Sequence, residues 1–221
     1  MFTDRIDAGR RLAEALAGRP GIGSPGRALP ADTLVLGVPR GGVIVAAEVA
    51  RALGLDLDIE VVRKIGAPGN PEYAVAAVDA DGELIAGERL VADAEYLQRE
   101  AVSAGTEIRR RLAAYRGDRA APVIAGRVVV LVDDGIATGL TLLAAARSLR
   151  RRGAARIIVA APVASPSAEQ ALHQVADELV VLWVDPHMQA VGQYYTRFGQ
   201  VSDAEVIAAL RAAWHEREQA R

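Results

Sequence analysis

Short apolar runs rich in β-branched residues recur along the chain, and segments with helical periodicity separate them. The runs predict five core strands, at residues 34–38, 57–62, 128–132, 156–163 and 179–184. The intervening helices are predicted at residues 43–53, 140–152 and 166–175. Because strands and helices alternate, the sequence predicts the α/β class, a parallel sheet with helices on both faces.

The two ends of the chain also predict helices. Four apolar residues near the N-terminus share one helical face that Thr3 or Asp4 would cap: Ile6, Leu12, Ala13 and Leu16. Ser202 and Glu205 have the spacing of a capping box, which predicts a final helix. The G-x-G-x-x-G pattern at residues 21–26 follows a helix and precedes a strand, the reverse of a dinucleotide-binding site, and therefore predicts a turn.

A long insertion, residues 64–126, interrupts the alternation after the second predicted strand. Its Gly- and Pro-rich start, GAPGNPEY, predicts a loop, and the alternation that follows predicts a hairpin turning at Asp81-Gly82. Its second half predicts a helix at residues 93–115 with one apolar stripe: Leu97, Ala101, Ala104, Ile108, Leu112 and Tyr115. On the other face the basic run 109–111 has acidic neighbours at helical spacing, so it is interpreted as a solvated face rather than a binding patch.

Length, composition and charge agree with one globular domain over residues 1–221, with a core at about 31–184 and a C-terminal segment at about 185–221. The formal net charge of −2 gives no electrostatic footprint for nucleic acid. No apolar run approaches the roughly 20 residues of a transmembrane helix, and the N-terminus lacks the apolar core of a signal peptide. The expected location is therefore cytoplasmic, without membrane attachment. The absence of cysteine excludes a disulfide framework and a thiolate nucleophile.

Two adjacent carboxylates and a short loop follow the third predicted strand. Asp133 and Asp134 can accept hydrogen bonds from a vicinal diol. Gly135 leads into a loop that opens a helix, where backbone N–H groups and the hydroxyls of Thr138 and Thr141 face an anion. The carboxyl end of a central parallel strand is where open α/β sheets bind ligands. The pattern predicts a site that holds a diol and a phosphate close together, as in a sugar phosphate.

A second glycine-rich loop, GVPRGG at residues 37–42, follows the first predicted strand. Gly41 and Gly42 allow the backbone to come close to a ligand, and the N-terminus of the next helix favours an anion there. Arg40 would add a charge-assisted contact. An ordinary strand-to-helix turn is the alternative interpretation.

The segment at residues 128–143, VVVLVDDGIATGLTLL, resembles the phosphoribosyl-pyrophosphate (PRPP) motif of type I phosphoribosyltransferases. In that motif two acidic residues hold the ribose hydroxyls and a T-G-x-T loop binds the 5′-phosphate. The matching residues are Asp133, Asp134, Thr138, Gly139 and Thr141. Paired aspartates after a strand also occur in receiver domains and in Mg²⁺-dependent phosphatases, but the order of strand, acid pair, glycine, T-G-x-T and helix favours the phosphoribosyl interpretation.

The resemblance covers most of the chain and extends to a subgroup of uncharacterised phosphoribosyltransferase-domain proteins, which GAPGNPEY resembles. It implies the type I fold: a parallel sheet with helices on both faces, a small hood and a long flexible-loop insertion. It also implies a PRPP site made of Pro39, Arg40, Gly41, Gly42, Arg63, Lys64, Asp133, Asp134, Gly135, Ala137, Thr138, Gly139, Leu140 and Thr141.

Within this implied site, GVPRGG resembles the pyrophosphate loop of the family, where the bond before the basic residue, here Pro39–Arg40, can be cis. Arg63 and Lys64, predicted at the carboxyl end of the second strand, would neutralise the leaving pyrophosphate. The loop after them would close over PRPP as a lid. The implied catalytic residues are Arg63, Lys64, Asp133 and Asp134.

Residues 183–199, after the last predicted strand, loosely resemble the hood of 6-oxopurine enzymes. The expected acceptor-binding residues are Val184, His187 and Met188. Two departures disfavour a 6-oxopurine: Ala137 stands where those enzymes carry an acidic residue, and no lysine stands just before the last strand. Three aromatic residues are interpreted equally well as hood core or as base-stacking groups: Tyr194, Tyr195 and Phe198.

The implied activity is transfer of the 5-phosphoribosyl group from PRPP to a nitrogenous base, with release of pyrophosphate. The resemblance implies Mg²⁺ as cofactor, held by Asp133 and Asp134 indirectly, through PRPP hydroxyls or water. A PRPP-binding regulator with the same fold and little turnover is the alternative, but neither a basic surface nor a nucleic-acid module supports one that acts on DNA or RNA. Family members are often dimers, which leaves a homodimer open.

Overall fold

The computed structural model describes residues 1–17, 33–86 and 92–220. Its α-helices are α1 (Arg5–Ala17), α2 (Gly41–Leu53), α3 (Ala94–Arg116), α4 (Leu140–Arg151), α5 (Pro166–Leu172) and α6 (Asp203–Gln219). Its strands are β1 (Leu34–Gly37), β2 (Asp56–Ile59), β3 (Arg63–Ala67), β4 (Asn70–Val78), β5 (Leu84–Ala86), β6 (Val128–Val132), β7 (Arg156–Ala164) and β8 (Glu178–Val184). A 3-10 helix, Val191–Tyr194, follows β8. The turn predicted at residues 21–26 lies outside the described residues, and no helix within them is long and apolar enough to cross a membrane.

Five strands form one parallel sheet in the order β2-β1-β6-β7-β8, which confirms the predicted α/β class. The chain first adds β2 on one side of β1 and later adds β6 on its other side. The strand order therefore reverses between β1 and β6. The last residues of these strands, Gly37 and Val132, are register partners. Open parallel sheets bind ligands in the crevice at such a switch point.

Helices cover both faces of this sheet, as the apolar runs predict. Consecutive residues of β6 point to opposite faces. Val130 packs in a cluster with α1, α2 and α6, whereas Leu131 packs in a cluster with α4 and α5. Both side chains are fully buried. Burial of an aliphatic side chain stabilises the fold by about 1.5–3 kcal/mol, which explains why the central strand is apolar on both faces.

The N-terminal helix begins directly after Asp4, whose Oδ1 accepts hydrogen bonds from the N–H groups of Ile6 and Asp7 at 3.1 Å each. Asp4 is therefore the cap, one of the two predicted. The buried face of α1 consists of Ala8, Gly9, Leu12, Ala13 and Leu16. The prediction that Ile6 belongs to this face is wrong, since Ile6 is 42% exposed. When the buried face of α1 is extended by one turn towards the N-terminus, it reaches position 5 and not position 6.

The second strand is shorter than predicted, because β2 ends at Ile59 and not at residue 62. Val61 and Val62 lengthen the apolar run, but they pack in the core as part of a connector outside the sheet. Arg63 and Lys64 therefore do not end β2, as predicted, but begin β3.

Strands β3, β4 and β5 form a separate antiparallel sheet, here called the accessory sheet. The loop predicted for GAPGNPEY is wrong, because these residues belong to β3 and β4 and only Pro68 and Gly69 turn between the strands. Gly69 has a φ of 76°, the left-handed conformation that glycine adopts without steric cost. The Gly- and Pro-rich composition thus marks a tight turn within a hairpin.

The second hairpin of the accessory sheet turns at Asp81-Gly82, as predicted. Asp79 fixes this turn, since its Oδ1 accepts hydrogen bonds from the N–H groups of Asp81 at 2.9 Å and Glu83 at 3.0 Å. The side chain of Asp79 is fully buried. A fully buried carboxylate requires a cationic partner, which α4 provides.

Helix α3 covers the accessory sheet with the predicted stripe. Five of its members are buried and Leu112 is partly buried against them: Leu97, Ala101, Ala104, Ile108 and Tyr115. The Tyr96 hydroxyl donates to the carbonyl of Gly66 at 2.9 Å, which ties the helix to β3. Arg110 and Arg111 both pair with Glu107, at 2.7 and 2.8 Å, which confirms the basic run as a solvated face.

Two arginines at the C-terminal end of α4 tie the accessory sheet and the β2–β3 connection to the core. Arg151 pairs with Asp79, and Arg152 pairs with Glu60 at 2.9 Å. The Glu60 side chain is only 2% exposed. Burial raises the pKa of Glu60 from its ordinary value of 4.5 to about 7, even though the charge of Arg152 acts in the opposite direction. Glu60 is therefore ionised in the core only with the support of its arginine.

We predict that Arg152→Met lowers the free energy of unfolding by about 3 kcal/mol at about pH 8 and by much less at about pH 5. The pKa of Glu60 is raised in the folded state, so the native protein binds this proton more tightly than the unfolded chain does. The stabilisation from neutral Glu60 is present at low pH and is lost as the pH rises through about 7. Above that pH the wild type holds an ionised Glu60 beside Arg152, whereas the variant must either keep the proton on Glu60 or bury an unpaired carboxylate.

Urea unfolding at the two pH values measures this effect. Arg147→Met is the matched control, because Arg147 lies on the exposed face of the same helix. Its stability should stay within about 0.5 kcal/mol of the wild type at both pH values. An equal loss for Arg152→Met at the two pH values would contradict the role given to Glu60.

Candidate active site

The acid pair lies directly after β6, at the switch point of the sheet. The N–H of Asp133 donates to the carbonyl of Ala160 at 3.3 Å, and its Oδ1 accepts the N–H of Asp134 at 2.8 Å. Burial, followed by the charge of Asp134, raises the pKa of Asp133 well above its usual range, and the charge of Lys64 acts in the opposite direction. A cation or hydrogen-bond donor placed beside Asp133 would therefore stabilise its ionised form.

Asp134 is held by groups from both ends of the chain. Its Oδ2 accepts from Arg5 Nε at 2.7 Å, and its backbone carbonyl accepts from the Tyr195 hydroxyl at 2.5 Å. Burial, followed by the charge of Asp134, raises the pKa of Tyr195, so the hydroxyl remains a donor. The sequence motifs predict neither contact. The helical periodicity of α1 could have indicated Arg5, because the buried stripe of this helix, extended by one turn towards the N-terminus, reaches position 5.

The loop at residues 37–42 continues from β1 alongside the acid pair. The N–H of Val38 donates to the carbonyl of Val132 at 2.9 Å, so the loop stays beside β6 after the strand ends. The Pro39–Arg40 peptide bond is cis, as the family resemblance implies. Helix α2 begins at Gly41, with no side chain capping its first turn. The Val43 N–H donates to the carbonyl of Arg40 at 3.3 Å, so the N–H groups of Gly41 and Gly42 are the ones that can face an anion.

The two glycines of this loop pack against the acid pair. A β-carbon at Gly41 would overlap the carboxylate of Asp134 and would lie 2.7 Å from Arg5 Nε. A β-carbon at Gly42 would lie 2.8 Å from the carbonyl oxygen of Val132. The missing β-carbons therefore make room for the acid pair and for β6, and close approach of this loop to a ligand stays a prediction.

The loop between the acid pair and α4 is fixed to the sheet and to the β7–α5 connection. Ile136 forms a parallel bridge with Ala164, and the Ser165 hydroxyl donates to the carbonyl of Ala137 at 2.7 Å. Gly139 has a φ of 75° and precedes the first turn of α4, whose N–H groups have no partner within the helix. The predicted phosphate-binding residues all lie in this loop and turn: Gly135, Ala137, Thr138, Gly139, Leu140 and Thr141.

The two predicted leaving-group cations lie on different sides of β3. The charge of Lys64 acts on Asp133, whereas Arg63 Nη1 lies 3.8 Å from Oε1 of Glu107 on α3. Consecutive residues of a strand point to opposite faces. In this structure only Lys64 of the two therefore supports the acid pair.

Arg40, the third predicted cation, is loosely held. Its guanidinium is 41% exposed, and its Nη1 lies 3.9 Å from Asp203 Oδ1. Asp203 Oδ1 also accepts a shorter hydrogen bond, 2.7 Å, from the Tyr115 hydroxyl. Arg40 is therefore able to turn towards an anion at the N-terminus of α2.

A cavity of about 220 Å³ lies beside residues 185–199, here called the hood. Its lining residues are Met1, Trp183, Asp185, His187, Gln193 and Tyr194. Asp185 accepts hydrogen bonds from the His187 N–H and the Tyr194 hydroxyl, both at 2.8 Å. The rings of Trp183 and Tyr194 meet edge to face, with centroids 5.3 Å apart. The cavity thus combines aromatic surface with one carboxylate.

The three expected acceptor-binding residues take different positions. His187 lines the cavity, Met188 packs against the apolar cluster of the hood, and Val184 ends β8 in register with Ala164. The alternatives for the aromatic residues are also settled in part: Tyr194 and Tyr195 are buried as hood core, whereas Phe198 is 38% exposed. Trp183 begins the segment 183–199 that resembles the hood, whereas no sequence pattern indicated Met1, Asp185 or Gln193 individually as cavity residues.

Comparisons with known proteins agree with this arrangement. Residues 30–188 match the model of the phosphoribosyl transferase domain family. A candidate phosphoribosyl transferase of Mycobacterium tuberculosis (strain ATCC 25618 / H37Rv) is 40% identical over an alignment of 220 positions that covers 96% of this chain and 47% of that protein. The chain thus spans about half the length of the curated relatives that it matches. The crystal structure of TT1426 from Thermus thermophilus is 47% identical, with a TM-score of 0.77 over 95% of this chain and 97% of that one. The chain belongs to the phosphoribosyl transferase domain family.

Proposed function

We propose that this protein transfers the 5-phosphoribosyl group of PRPP to a nitrogenous base and releases pyrophosphate. One observation carries the proposal: the acid pair, the loop at residues 37–42 and the N-terminus of α4 meet at one switch point of the sheet. A diol site between two anion sites fits PRPP, whose ribose hydroxyls lie between a 5′-phosphate and a pyrophosphate. Membership of the family supports the same substrate class.

Catalysis at this site would rest on positioning and charge stabilisation, without a covalent protein nucleophile. Asp133 and Asp134 would hold the ribose hydroxyls, and the backbone of residues 137–141 would hold the 5′-phosphate. Lys64 already acts on the acid pair and is suited to offset negative charge on the departing pyrophosphate. Arg63 would first have to turn away from α3.

Mg²⁺ fits this site as an ion shared with the substrate. Among the described residues, no group of three or more His, Asp or Glu side chains stands close enough to hold a metal ion alone. The acid pair offers two carboxylates, and a cation would favour the ionised form of Asp133. Mg²⁺ in proteins keeps several waters and uses one or two carboxylates together with substrate phosphates. When bound with PRPP, the ion would neutralise pyrophosphate charge.

The acceptor would bind in the cavity beside the hood. Tyr194 lines this cavity, and Tyr195, the next residue, bonds to the carbonyl of Asp134, so adjacent residues of the hood link the cavity to the proposed ribose site. The His187 N–H, followed by the Tyr194 hydroxyl, lowers the pKa of Asp185, which keeps a carboxylate in the cavity. A flat ring that carries N–H donors fits these groups, and Ala137 continues to disfavour 6-oxopurines.

Pyrophosphate release from Mg²⁺-PRPP, measured across adenine, pyrimidine and 6-oxopurine bases, tests the proposal. Release that depends on one of the bases would support it. Saturable PRPP binding without release for any base would favour a PRPP-binding regulator. A protein that does not bind Mg²⁺-PRPP in calorimetry would refute both functions.

We predict that Asp134→Asn weakens PRPP binding by about 10- to 100-fold, because a neutral amide replaces the anionic acceptor of a ribose hydroxyl. Titration calorimetry with Mg²⁺-PRPP measures the change. Asp118→Asn is the control, since Asp118 is exposed between α3 and β6, and it should bind as the wild type does. If Asp134→Asn binds PRPP as tightly as the wild type does, the acid pair does not hold the ribose hydroxyls.

Gly41→Ala should damage both the fold and the site. The added β-carbon would collide with the Asp134 carboxylate, so we expect a loss of about 1–3 kcal/mol in the free energy of unfolding together with weaker PRPP binding. Gly105→Ala on α3 is the matched control, because its β-carbon would meet only Arg109 Nη1, at 3.5 Å. This control should gain about 0.5–1 kcal/mol, since alanine favours a helix interior. Urea unfolding measures the free energy of unfolding of both variants. A Gly41→Ala protein as stable as the wild type would contradict the contact between Gly41 and Asp134.

A further inference from the structure

The first turn of α1 reaches into the proposed ribose site. Arg5 begins this helix, and its guanidinium lies between Asp134 and the end of the hood. Its Nε donates to Asp134 Oδ2 at 2.7 Å, and its Nη1 donates to the carbonyl of Gly199 at 2.9 Å. The ring of Phe198 lies against the guanidinium, with 4.0 Å between Cζ and the ring centroid. Arg5 is therefore fixed from three sides.

Burial distinguishes Arg5 from the other arginines of α1. Its side chain is 11% exposed, whereas those of Arg10 and Arg11 are 69% and 50% exposed in their own ion pairs. Ordering a long side chain and removing a guanidinium from water both cost free energy. An exposed ion pair recovers little of this cost, but directed hydrogen bonds to a partly buried carboxylate and a carbonyl recover more. The position of Arg5 is thus well defined.

Because of this contact, the two oxygens of the Asp134 carboxylate have different surroundings. Oδ2 accepts from Arg5 and faces Gly41, whereas no N–H group or Ser, Thr or Tyr hydroxyl in the described parts of the chain donates to Oδ1. Asp133 stands next to Asp134, and the positive charge of Arg5 offsets the repulsion between the two carboxylates. The arrangement leaves Asp134 one accepting oxygen and a counter-ion.

We propose that Arg5 is a positioning residue for the phosphoribosyl transfer: it holds the Asp134 carboxylate so that one oxygen remains to accept a ribose hydroxyl. This inference rests on the proposed function. It makes α1 part of the site, although Arg5 precedes the residues 30–188 that match the family. Arg5 acts through Asp134 and needs no contact with PRPP of its own.

Titration calorimetry with Mg²⁺-PRPP on the full chain tests the proposal with three variants. Arg5→Met should weaken binding by about tenfold or more, because Asp134 loses its partner and becomes free to turn. Arg5→Lys keeps the charge but not the second contact, so it should bind PRPP more tightly than Arg5→Met. Arg10→Met, the same substitution at an exposed position of α1, should bind as the wild type does.

A double-mutant cycle separates positioning from other roles. If Arg5 acts through Asp134, Arg5→Met should weaken binding by less than about twofold in a protein that already carries Asp134→Asn. An equal loss in both backgrounds would overturn the proposal, because Arg5 would then act independently of Asp134.

The remaining outcomes are distinct. A wild-type protein that does not bind Mg²⁺-PRPP would overturn the proposed function and this inference with it. A wild type that binds, together with an Arg5→Met variant of equal affinity, would overturn only the role of Arg5. Thermal unfolding without ligand shows whether each variant is folded, and if Arg5→Met is not, the same cycle with Arg5→Lys decides.

Discussion

The packing of β1 beside β6, where the strand order reverses, is the constraint on which the whole site depends. Since Gly37 and Val132 are register partners, the two loops that follow them start side by side. The missing β-carbons at Gly41 and Gly42 then let the first loop lie against the acid pair. The spacing between the acid pair and the loop at residues 37–42, the proposed diol and pyrophosphate sites, is thus set by backbone contacts, which vary far less than contacts between long side chains.

The accessory sheet supplies positive charge to the acid pair. Lys64 acts on Asp133 from β3, which belongs to the accessory sheet and not to the parallel sheet. That sheet is held to α4 by the pair of Arg151 with the buried Asp79, and the connection leading into it by the pair of Arg152 with the buried Glu60. Buried ion pairs contribute little net stability, because desolvation offsets their attraction. Their contribution here is geometric, since they fix where β3 begins.

The parts of the fold that local sequence determines could be predicted, and those set by distant contacts could not. The apolar strands, the helix caps and the loop from Asp133 to α4 are contiguous patterns whose physical causes lie within a few residues. The GAPGNPEY hairpin was mistaken for a loop because glycine and proline favour a tight turn and a long loop alike. Arg5 and Tyr195 stand 129 and 61 residues from Asp134, so only the folded chain brings them together.

Under the proposed function, the hood links the choice of acceptor to ribose binding. Tyr194, the last residue of the 3-10 helix, lines the proposed acceptor cavity, and Tyr195, the next residue, bonds to the carbonyl of Asp134. A replacement of Tyr194 that moved this backbone would also move Tyr195. A new acceptor preference gained at Tyr194 would therefore weaken binding at the proposed ribose site. Trp183 lies on β8, is 46% exposed and contacts this segment through the ring of Tyr194. Among the proposed acceptor residues, Trp183 therefore offers divergence towards other bases a route that leaves the backbone at Tyr194 in place.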